Sequence, residues 1–171
     1  QDGMRSDYLP VLLGGLLTAS GNSSPVMVPA KGRYMMMDDL PRFAKLYDVP
    51  LNNNPHFPIN TLNLMRGAVA ALDSGYFKAY IDAVFKAIWV DSKNMGDMDT
   101  VTEVLSNAGL NATTNLESTQ DAEVKEKLIS NTQAAVERGL FGAPTMFVDG
   151  EMFFGQDRLQ FVEAVLQQKD N

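Results

Sequence analysis

The spacing of apolar residues changes from a helical to a β-type pattern at Gly139, and this change most constrains the fold. From Leu62 to Trp89, apolar residues recur three and four positions apart, as they do in amphipathic helices. After Gly139, two four-residue segments of β-type composition flank Asp149-Gly150, the strongest two-residue signal for a β-hairpin. A helical pattern follows this hairpin and ends the chain. The order predicts an α/β domain with a large all-helical insertion.

The helical patterns have approximate limits in the sequence. One helix is predicted over Lys31 to Tyr47, and Pro41 should kink it or restart it. The predicted insertion contains four more: a helix capped by Asn60 and running to Leu72, and helices over Tyr76–Trp89, Asp99–Asn107 and Asp121–Arg138.

The segment from Arg5 to Leu13 predicts a mostly buried strand. It contains a short apolar run closed by Gly14-Gly15, and Pro10 places it near a sheet edge or at the strand's end. A single strand before the insertion is too little for a stable sheet. We therefore expect that the α/β half lacks one strand and one helix within the given residues. These two elements would lie within roughly 30 residues upstream of Gln1.

Charge and apolar length disfavour two classes of partner. The 14 basic and 21 acidic side chains give a formal net charge of 14 − 21 = −7, and acidic residues interrupt the basic ones. Such a surface has no stripe for tracking phosphates, so we expect no nucleic-acid partner. No targeting signal is visible at the start, and the longest apolar stretch there is far short of the roughly 20 residues of a spanning helix. We expect no membrane partner.

Metal and thiol chemistry are also disfavoured. The chain has no cysteine, which excludes a disulfide framework, a thiolate metal site and a cysteine nucleophile within these residues. The one histidine, His56, lies in a proline-flanked loop without the partners of a metal site. Met35, Met36 and Met37 lie on a predicted helix, where methionine mainly fills the core. We expect no metal.

A few polar residues are candidates for binding, each with a simpler alternative. Gln156 and Asp157 open the final helix, where backbone N–H groups can hold a carboxylate and the Asp157 side chain can accept from an ammonium group, so the pair suits an amino-acid zwitterion. Asp157 could instead only complement the helix dipole. Asn22 could be a turn residue, and Lys31 a solvated charge. On spacing alone, the Ala143-Pro144 bond is expected to be trans.

Seven short motifs together resemble a known family over essentially all 171 residues. The chain resembles the 2-hydroxychromene-2-carboxylate isomerases, members of the DsbA-like thioredoxin-fold family akin to kappa-class glutathione transferases. The motifs occur in this order: Leu12-Leu13-Gly14-Gly15, Ser20-Gly21-Asn22, Val28-Pro29-Ala30-Lys31 with Tyr34-Met35, His56-Phe57-Pro58 with Asn60-Thr61, Phe141-Gly142-Ala143-Pro144-Thr145, Val148-Asp149-Gly150, and Phe154-Gly155-Gln156-Asp157-Arg158.

The resemblance implies an α/β thioredoxin-like fold that binds glutathione as its cofactor. Ala143 would pair its backbone with the cysteinyl part of glutathione, ahead of a cis Pro144. Gln156 and Asp157 would hold the γ-glutamyl end, and Asn22 and Lys31 match positions at the thiol and glycyl-carboxylate side. In the family reaction the glutathione thiolate adds to the chromene carboxylate, the ring opens, a carbon–carbon bond rotates and the thiol leaves, which gives trans-o-hydroxybenzylidenepyruvate. The resemblance thus implies a small aromatic carboxylate from naphthalene-type degradation as the substrate.

The family's catalytic serine has no match in this chain. In the family that serine lies in a Ser-Pro-Tyr-like turn between the first strand and helix, so the resemblance implies that these two elements lie upstream of Gln1 and leaves the catalytic residue unknown. Residues 1–58 and 139–171 would form the thioredoxin-like domain, and residues 59–138 the helical insertion.

Other functions remain open at this point. A kappa-like glutathione transferase would share the fold and cofactor and act on other electrophiles, and its pocket would differ in apolar residues. Phe57 and Trp89 are candidates for the aromatic substrate's surroundings, although they could simply be core. A non-catalytic thioredoxin-fold binding module is a third hypothesis, and a disulfide oxidoreductase requires a cysteine pair upstream. We expect a cytoplasmic protein that could form a homodimer.

Overall fold

The computed structural model describes residues 6–168 and divides into two compact units. The first, here called the helical unit, comprises the chain up to Leu12 together with Asp48–Gln133. The second, here called the hairpin unit, comprises Leu13–Tyr47 and the chain from Ala134 onward. The predicted domains divided the chain at Pro58 and Gly139 instead. Those limits stay a prediction about folding domains, because the two units record only which segments pack together.

The helical unit is built from four helices and the first part of a fifth. These helices are α4 Leu62–Asp73, α5 Phe77–Trp89, α6 Met98–Asn107, α7 Ala112–Ser118 and α8 Ala122–Glu137. The four helices predicted in this region are confirmed, and the Asn60 side chain accepts a hydrogen bond from the Leu62 N–H at 3.1 Å. The additional helix α7 was not predicted. Its signal is Asn111, whose side chain accepts from the Thr114 N–H at 3.1 Å as an N-cap does.

The apolar faces of α4, α5, α6 and α7 pack into one core. Leu64, Tyr80, Val101 and Leu105 are among its buried members. The Tyr80 hydroxyl donates to the Leu64 carbonyl at 2.9 Å, so the polar end of this buried ring is satisfied. Burial raises the pKa of the Tyr80 hydroxyl, and the neighbouring Tyr76 adds to the shift.

The strand predicted over Arg5–Leu13 is wrong for its described part. Arg5 lies outside the described residues, and residues 6–12 form neither strand nor helix. The Leu12 N–H donates to Thr132 Oγ1 at 3.0 Å, and Asn131 Nδ2 donates to the Pro10 carbonyl at 3.1 Å. Side chains of α8 therefore bond backbone groups that a neighbouring strand would otherwise bond. The apolar residues of this segment have the pattern of a strand, but among the described residues the segment has no strand partner with which to pair.

The hairpin unit contains short helical segments, a hairpin and a final helix. They are α1 Leu13–Ala19, a 3-10 turn Pro25–Met27, α2 Pro29–Tyr34, a π-helical segment Met35–Asp39, α3 Leu40–Leu46, β1 Thr145–Val148, β2 Glu151–Phe154, a 3-10 turn Gln156–Arg158 and α9 Leu159–Gln167. Gly14-Gly15, predicted to close a strand, lies inside α1.

The helix predicted over Lys31–Tyr47 is confirmed. The interruption predicted at Pro41 is a π-helical segment, Met35–Asp39, that lies just before this proline. The Leu40 N–H donates to the Met35 carbonyl, five residues earlier. Pro41 follows directly, has no N–H to donate and crowds the carbonyl four residues before it. The wider π turn just before Pro41 accommodates this loss of regular α-helical bonding.

The predicted hairpin is confirmed. Strands β1 and β2 pair antiparallel, with Thr145 opposite Phe154 and Val148 opposite Glu151. Asp149 and Gly150 both have positive φ, 51° and 86°, as a two-residue type I′ turn requires. Within residues 6–168 these two strands make up the sheet. No helix in the same range has the length and apolar character to cross a membrane.

Candidate functional site

The Ala143-Pro144 segment comes directly before β1. The Ala143-Pro144 bond is cis, as the resemblance implied and spacing alone did not. Ala143 is exposed, and no described residue forms a hydrogen bond with its backbone N–H or carbonyl. The Pro144 carbonyl accepts from the Gly155 N–H at 2.9 Å. Pro144 is therefore hydrogen-bonded to another part of the protein, whereas the N–H and carbonyl of Ala143 both remain available.

Aromatic packing explains why a glycine precedes Ala143. A Cβ on Gly142 would lie 2.7 Å from Cε2 of Phe154, on the opposite strand. Phe141 packs against the same ring, with 4.7 Å between the ring centroids. The Thr145 hydroxyl also donates to the Gly142 carbonyl at 2.8 Å. The turn before β1 is thus held by one aromatic pair and one side-chain hydrogen bond.

Gln156 and Asp157 form a short turn that opens the final helix. Gly155, just before it, has φ 99°, and a Cβ there would collide with the Asp157 carboxylate. Gln156 and Asp157 are both half-buried, and the Asp157 carboxylate pairs with the exposed Arg158 guanidinium. The turn and the Ala143-Pro144 segment are joined by the hydrogen bond between Gly155 and Pro144.

Asn22 is bound to the same region. Its Nδ2 donates to the Phe141 carbonyl at 2.9 Å, and its Oδ1 accepts from the Ser23 N–H at 2.8 Å. The side chain therefore fastens the loop after α1 to the segment that leads to Ala143. Both of its polar atoms are used in this way, as the alternative of a structural turn residue anticipated.

Lys31 lies in the same unit without a bond to the other candidates. It is exposed on α2, next to Gly32, whose Cβ position is 3.0 Å from the Val26 backbone. Among residues 6–168, no ion pair or hydrogen bond engages the Lys31 ammonium group. A cation without a partner suits either a solvated side chain or a ligand for an anion.

Phe57 and Trp89 belong to the helical unit, whereas the other predicted site residues belong to the hairpin unit. Their ring centroids are 5.5 Å apart and both rings are half-buried. The bond that follows Phe57, Phe57-Pro58, is also cis, which was not predicted. The rings pack against each other, which agrees with the simpler alternative of a packing role.

Tyr47 was missed by the sequence analysis. Its hydroxyl donates to the Gln156 carbonyl at 2.8 Å, and its ring packs on Phe43 with centroids 5.8 Å apart. The two bonded residues are separated by 109 positions in the chain. No local pattern reports a contact over that distance, so no signal in the sequence could have found it.

A groove of about 570 Å³ lies between β2 and α9, and none of the predicted binding residues is among those that line it. Six of its eight lining residues have apolar side chains; the eight are Glu151, Met152, Phe153, Phe154, Arg158, Phe161, Ala164 and Val165. The chemistry predicted for glutathione lies on the Ala143 segment and the Gln156–Asp157 turn instead. In the described part of the chain, no group of three or more acidic or histidine side chains could hold a metal ion.

Comparisons with known proteins agree on one family. The family model described as a DSBA-like thioredoxin domain matches residues 1–167. The 2-hydroxychromene-2-carboxylate isomerase of Sphingobium xenophagum is 31% identical over 163 residues, which covers 94% of this chain and 82% of that protein. Glutathione S-transferase kappa 1 of Caenorhabditis elegans is also 31% identical, over 97% of this chain and 79% of its own length.

A solved structure of 2-hydroxychromene-2-carboxylate isomerase has the same fold. It superimposes with a TM-score of 0.82 at 28% identity, over 92% of this chain and 77% of that one. The fold shared with it is a DsbA-like thioredoxin fold, mostly helical and with a small two-stranded sheet in the described residues. The chain therefore belongs to the DsbA-like thioredoxin-domain family.

Proposed function

We propose that this protein is a glutathione-dependent isomerase that converts 2-hydroxychromene-2-carboxylate to trans-o-hydroxybenzylidenepyruvate. The observation that carries the proposal is the exposed backbone of Ala143, which has no hydrogen bond to any described residue and lies next to the segment fastened to the Gln156–Asp157 turn. A peptide-like ligand needs such a free pair of backbone groups. Relatives named 2-hydroxychromene-2-carboxylate isomerase, at 31% to 32% identity, support the choice of reaction.

Glutathione fits the residues of the hairpin unit. The Ala143 N–H and carbonyl would bond the cysteinyl part, and Asp157 would accept from the γ-glutamyl ammonium group. Asp157 pairs with Arg158 in the structure, so the ammonium group would share or replace that partner. Gln156 belongs to the same turn and would contact the γ-glutamyl end. These contacts use groups that the fold leaves exposed or half-buried.

Lys31 would hold the glycyl carboxylate. Its ammonium group is exposed and unpaired within the described residues, and the protein as a whole is acidic, with a formal net charge of −7. A local cation is therefore needed to retain an anionic tripeptide. The proposed contact of Asn22 at the thiol side stays a prediction, because its amide already binds Phe141 and Ser23.

Bound glutathione would supply the thiol nucleophile that the cysteine-free chain does not contain. The residues discussed above bind and orient this cofactor, and none of them is assigned as a catalytic residue. Phe57 and Trp89 stay weak candidates for the surroundings of the aromatic substrate. The homodimer and the cytoplasmic location also stay predictions.

A kappa-like glutathione transferase is the second candidate function. The observation that favours it is that relatives named glutathione S-transferase kappa 1 match at 31% identity in Caenorhabditis elegans and 30% in Rattus norvegicus, as closely as the isomerases do. The same glutathione contacts would serve both activities. The two functions differ in the second substrate.

The deciding experiment measures three quantities on the purified protein. Calorimetry tests glutathione binding, absorbance follows conversion of 2-hydroxychromene-2-carboxylate with and without glutathione, and 1-chloro-2,4-dinitrobenzene tests conjugation. Isomerisation that requires glutathione supports the proposal. Conjugation without isomerisation favours the transferase. Binding of glutathione with neither activity favours the non-catalytic module, and no binding at all contradicts both glutathione-dependent functions.

A further inference from the structure

The Gln156–Asp157 turn is held from two sides. On one side, the Gly155 N–H donates to the Pro144 carbonyl at 2.9 Å. On the other, the Tyr47 hydroxyl donates to the Gln156 carbonyl at 2.8 Å. Tyr47 comes from the end of α3, so the second attachment is independent of the hairpin. A three-residue 3-10 turn has weak hydrogen-bond geometry of its own, and outside attachments therefore matter for its orientation.

The position of Tyr47 is itself defined. Its ring packs on Phe43, one helical turn earlier, with 29° between the ring planes. This contact limits where the hydroxyl can lie, and the hydroxyl ends at the backbone of Gln156 rather than at a side chain. A substitution of Gln156 would leave this bond in place, whereas removal of the Tyr47 hydroxyl would abolish it.

We infer that Tyr47 is a positioning residue for the γ-glutamyl end of glutathione, because its hydroxyl fixes the Gln156 backbone and thereby aims the turn that carries Asp157. This inference rests on the proposed function, which places the γ-glutamyl end at that turn. Tyr47 acts through the turn and does not touch the ligand.

A double-mutant cycle tests the inference. The variants are Tyr47→Phe, Asp157→Ala and their combination, with glutathione affinity measured by calorimetry and folding checked by urea unfolding. Tyr47→Phe keeps the ring on Phe43 and removes only the hydroxyl. Loss of one neutral hydrogen bond should weaken glutathione binding about three- to tenfold. In the Asp157→Ala background the same change should have no further effect, because coupled residues are not additive.

Tyr8→Phe is the matched control. Tyr8 packs on Phe77 in the helical unit, and its hydroxyl has no hydrogen bond to the described residues. The Tyr8→Phe variant also removes a tyrosine hydroxyl oxygen, but one in the helical unit. Its affinity for glutathione should equal that of the unmodified protein.

The outcomes separate the inference from the proposed function. If the unmodified protein does not bind glutathione, the proposed function fails and this inference with it. If it binds and Tyr47→Phe binds equally well, the inference is overturned while the proposed function stands. An equal loss in both backgrounds would show that Tyr47 acts apart from Asp157 and would also overturn it. A loss confined to the background that retains Asp157 supports the inference.

Discussion

The two units bury their apolar residues to very different extents. In the helical unit, four helices share one core, and Leu105, Met95 and Ala71 are fully buried there. In the described part of the hairpin unit, the buried hydrophobic residues are Leu16, Ala135 and Phe153. That unit instead exposes large apolar side chains of the hairpin and of α9, among them Phe154, Leu159 and Phe161.

This difference suggests a division of roles: buried residues of the helical unit stabilise the fold, and exposed groups of the hairpin unit are available to bind a ligand. In the helical unit, the buried Tyr80 hydroxyl donates to the Leu64 carbonyl. In the hairpin unit, Ala143 leaves backbone groups without protein partners. The candidate residues of the glutathione site all lie in this second unit: Asn22, Lys31, Ala143, Pro144, Gln156 and Asp157. We expect substitutions in the helical unit to change the free energy of unfolding, and substitutions in the hairpin unit to change ligand affinity.

The largest expected effect comes from a matched pair of leucines. Leu105→Ala leaves a cavity in a fully buried position and should lower the free energy of unfolding by about 2–5 kcal/mol. Leu159 is 43% exposed, so Leu159→Ala should cost less than about 1 kcal/mol. Urea unfolding of both variants measures the difference. Equal losses would contradict the contrast between the units.

The next effect concerns affinity. Asp157→Ala should weaken glutathione binding about tenfold to a hundredfold, since it removes one partner of a charge-assisted hydrogen bond. The free energy of unfolding should change by less than about 1 kcal/mol, because the pair with Arg158 is solvent-exposed. Glu163→Ala removes an exposed carboxylate from α9 and serves as the control for calorimetry. Unchanged affinity alongside lowered stability would assign Asp157 to the helix terminus alone.

Two glycines that lie next to aromatic rings, one in each unit, allow the packing of the two units to be compared. A Cβ on Gly67 would lie 2.9 Å from Cζ of Tyr80, a ring that is 2% exposed and cannot move aside. Gly67→Ala should therefore cost about 1–3 kcal/mol. A Cβ on Gly142 would meet the Phe154 ring at 2.7 Å, but that ring is 40% exposed and can turn outward. We expect a smaller loss for Gly142→Ala in thermal unfolding, and an equal or larger one would show that the hairpin unit is as rigid as the core.

The sequence predicted features whose signal is local. The apolar faces of α4 and α5 and the Asp149-Gly150 hairpin are confirmed because each follows from a few neighbouring residues. The strand predicted over Arg5–Leu13 is wrong in its described part, because a strand needs a partner that periodicity cannot supply. Helix α7 was missed because it is short, although Asn111 carried its capping signal.

The site was less predictable than the fold. Motifs in the chain predicted candidate residues before β1 and at the start of α9, and the structure joins these two segments through Gly155 and Pro144. Long-range contacts were not foreseen. The bond from Tyr47 to Gln156 and the use of the Asn22 amide by Phe141 depend on how distant segments meet.

The smallest expected effect is a pH dependence in the helical unit. Asp97 caps α6, and its Oδ2 accepts from the Thr100 hydroxyl at 2.7 Å and from the Thr100 N–H at 3.0 Å. The hydrogen bond from the Thr100 side chain, aided by that from its backbone, lowers the pKa of the Asp97 carboxyl.

Because the pKa of Asp97 is lower in the folded than in the unfolded protein, its contribution to stability is present above the unfolded value of about 3.9 and is lost as pH falls through the folded value. Asp97→Asn should retain a cap but remove this acid dependence, so its free energy of unfolding should decline less than that of the unmodified protein between neutral and acidic pH. Asn111 caps α7 with a neutral amide, and Asn111→Ala should cost about 1 kcal/mol at either pH. Urea unfolding at both pH values compares the three proteins. An Asp97→Asn curve with the same acid slope as the unmodified protein would show that groups other than Asp97 produce the decline.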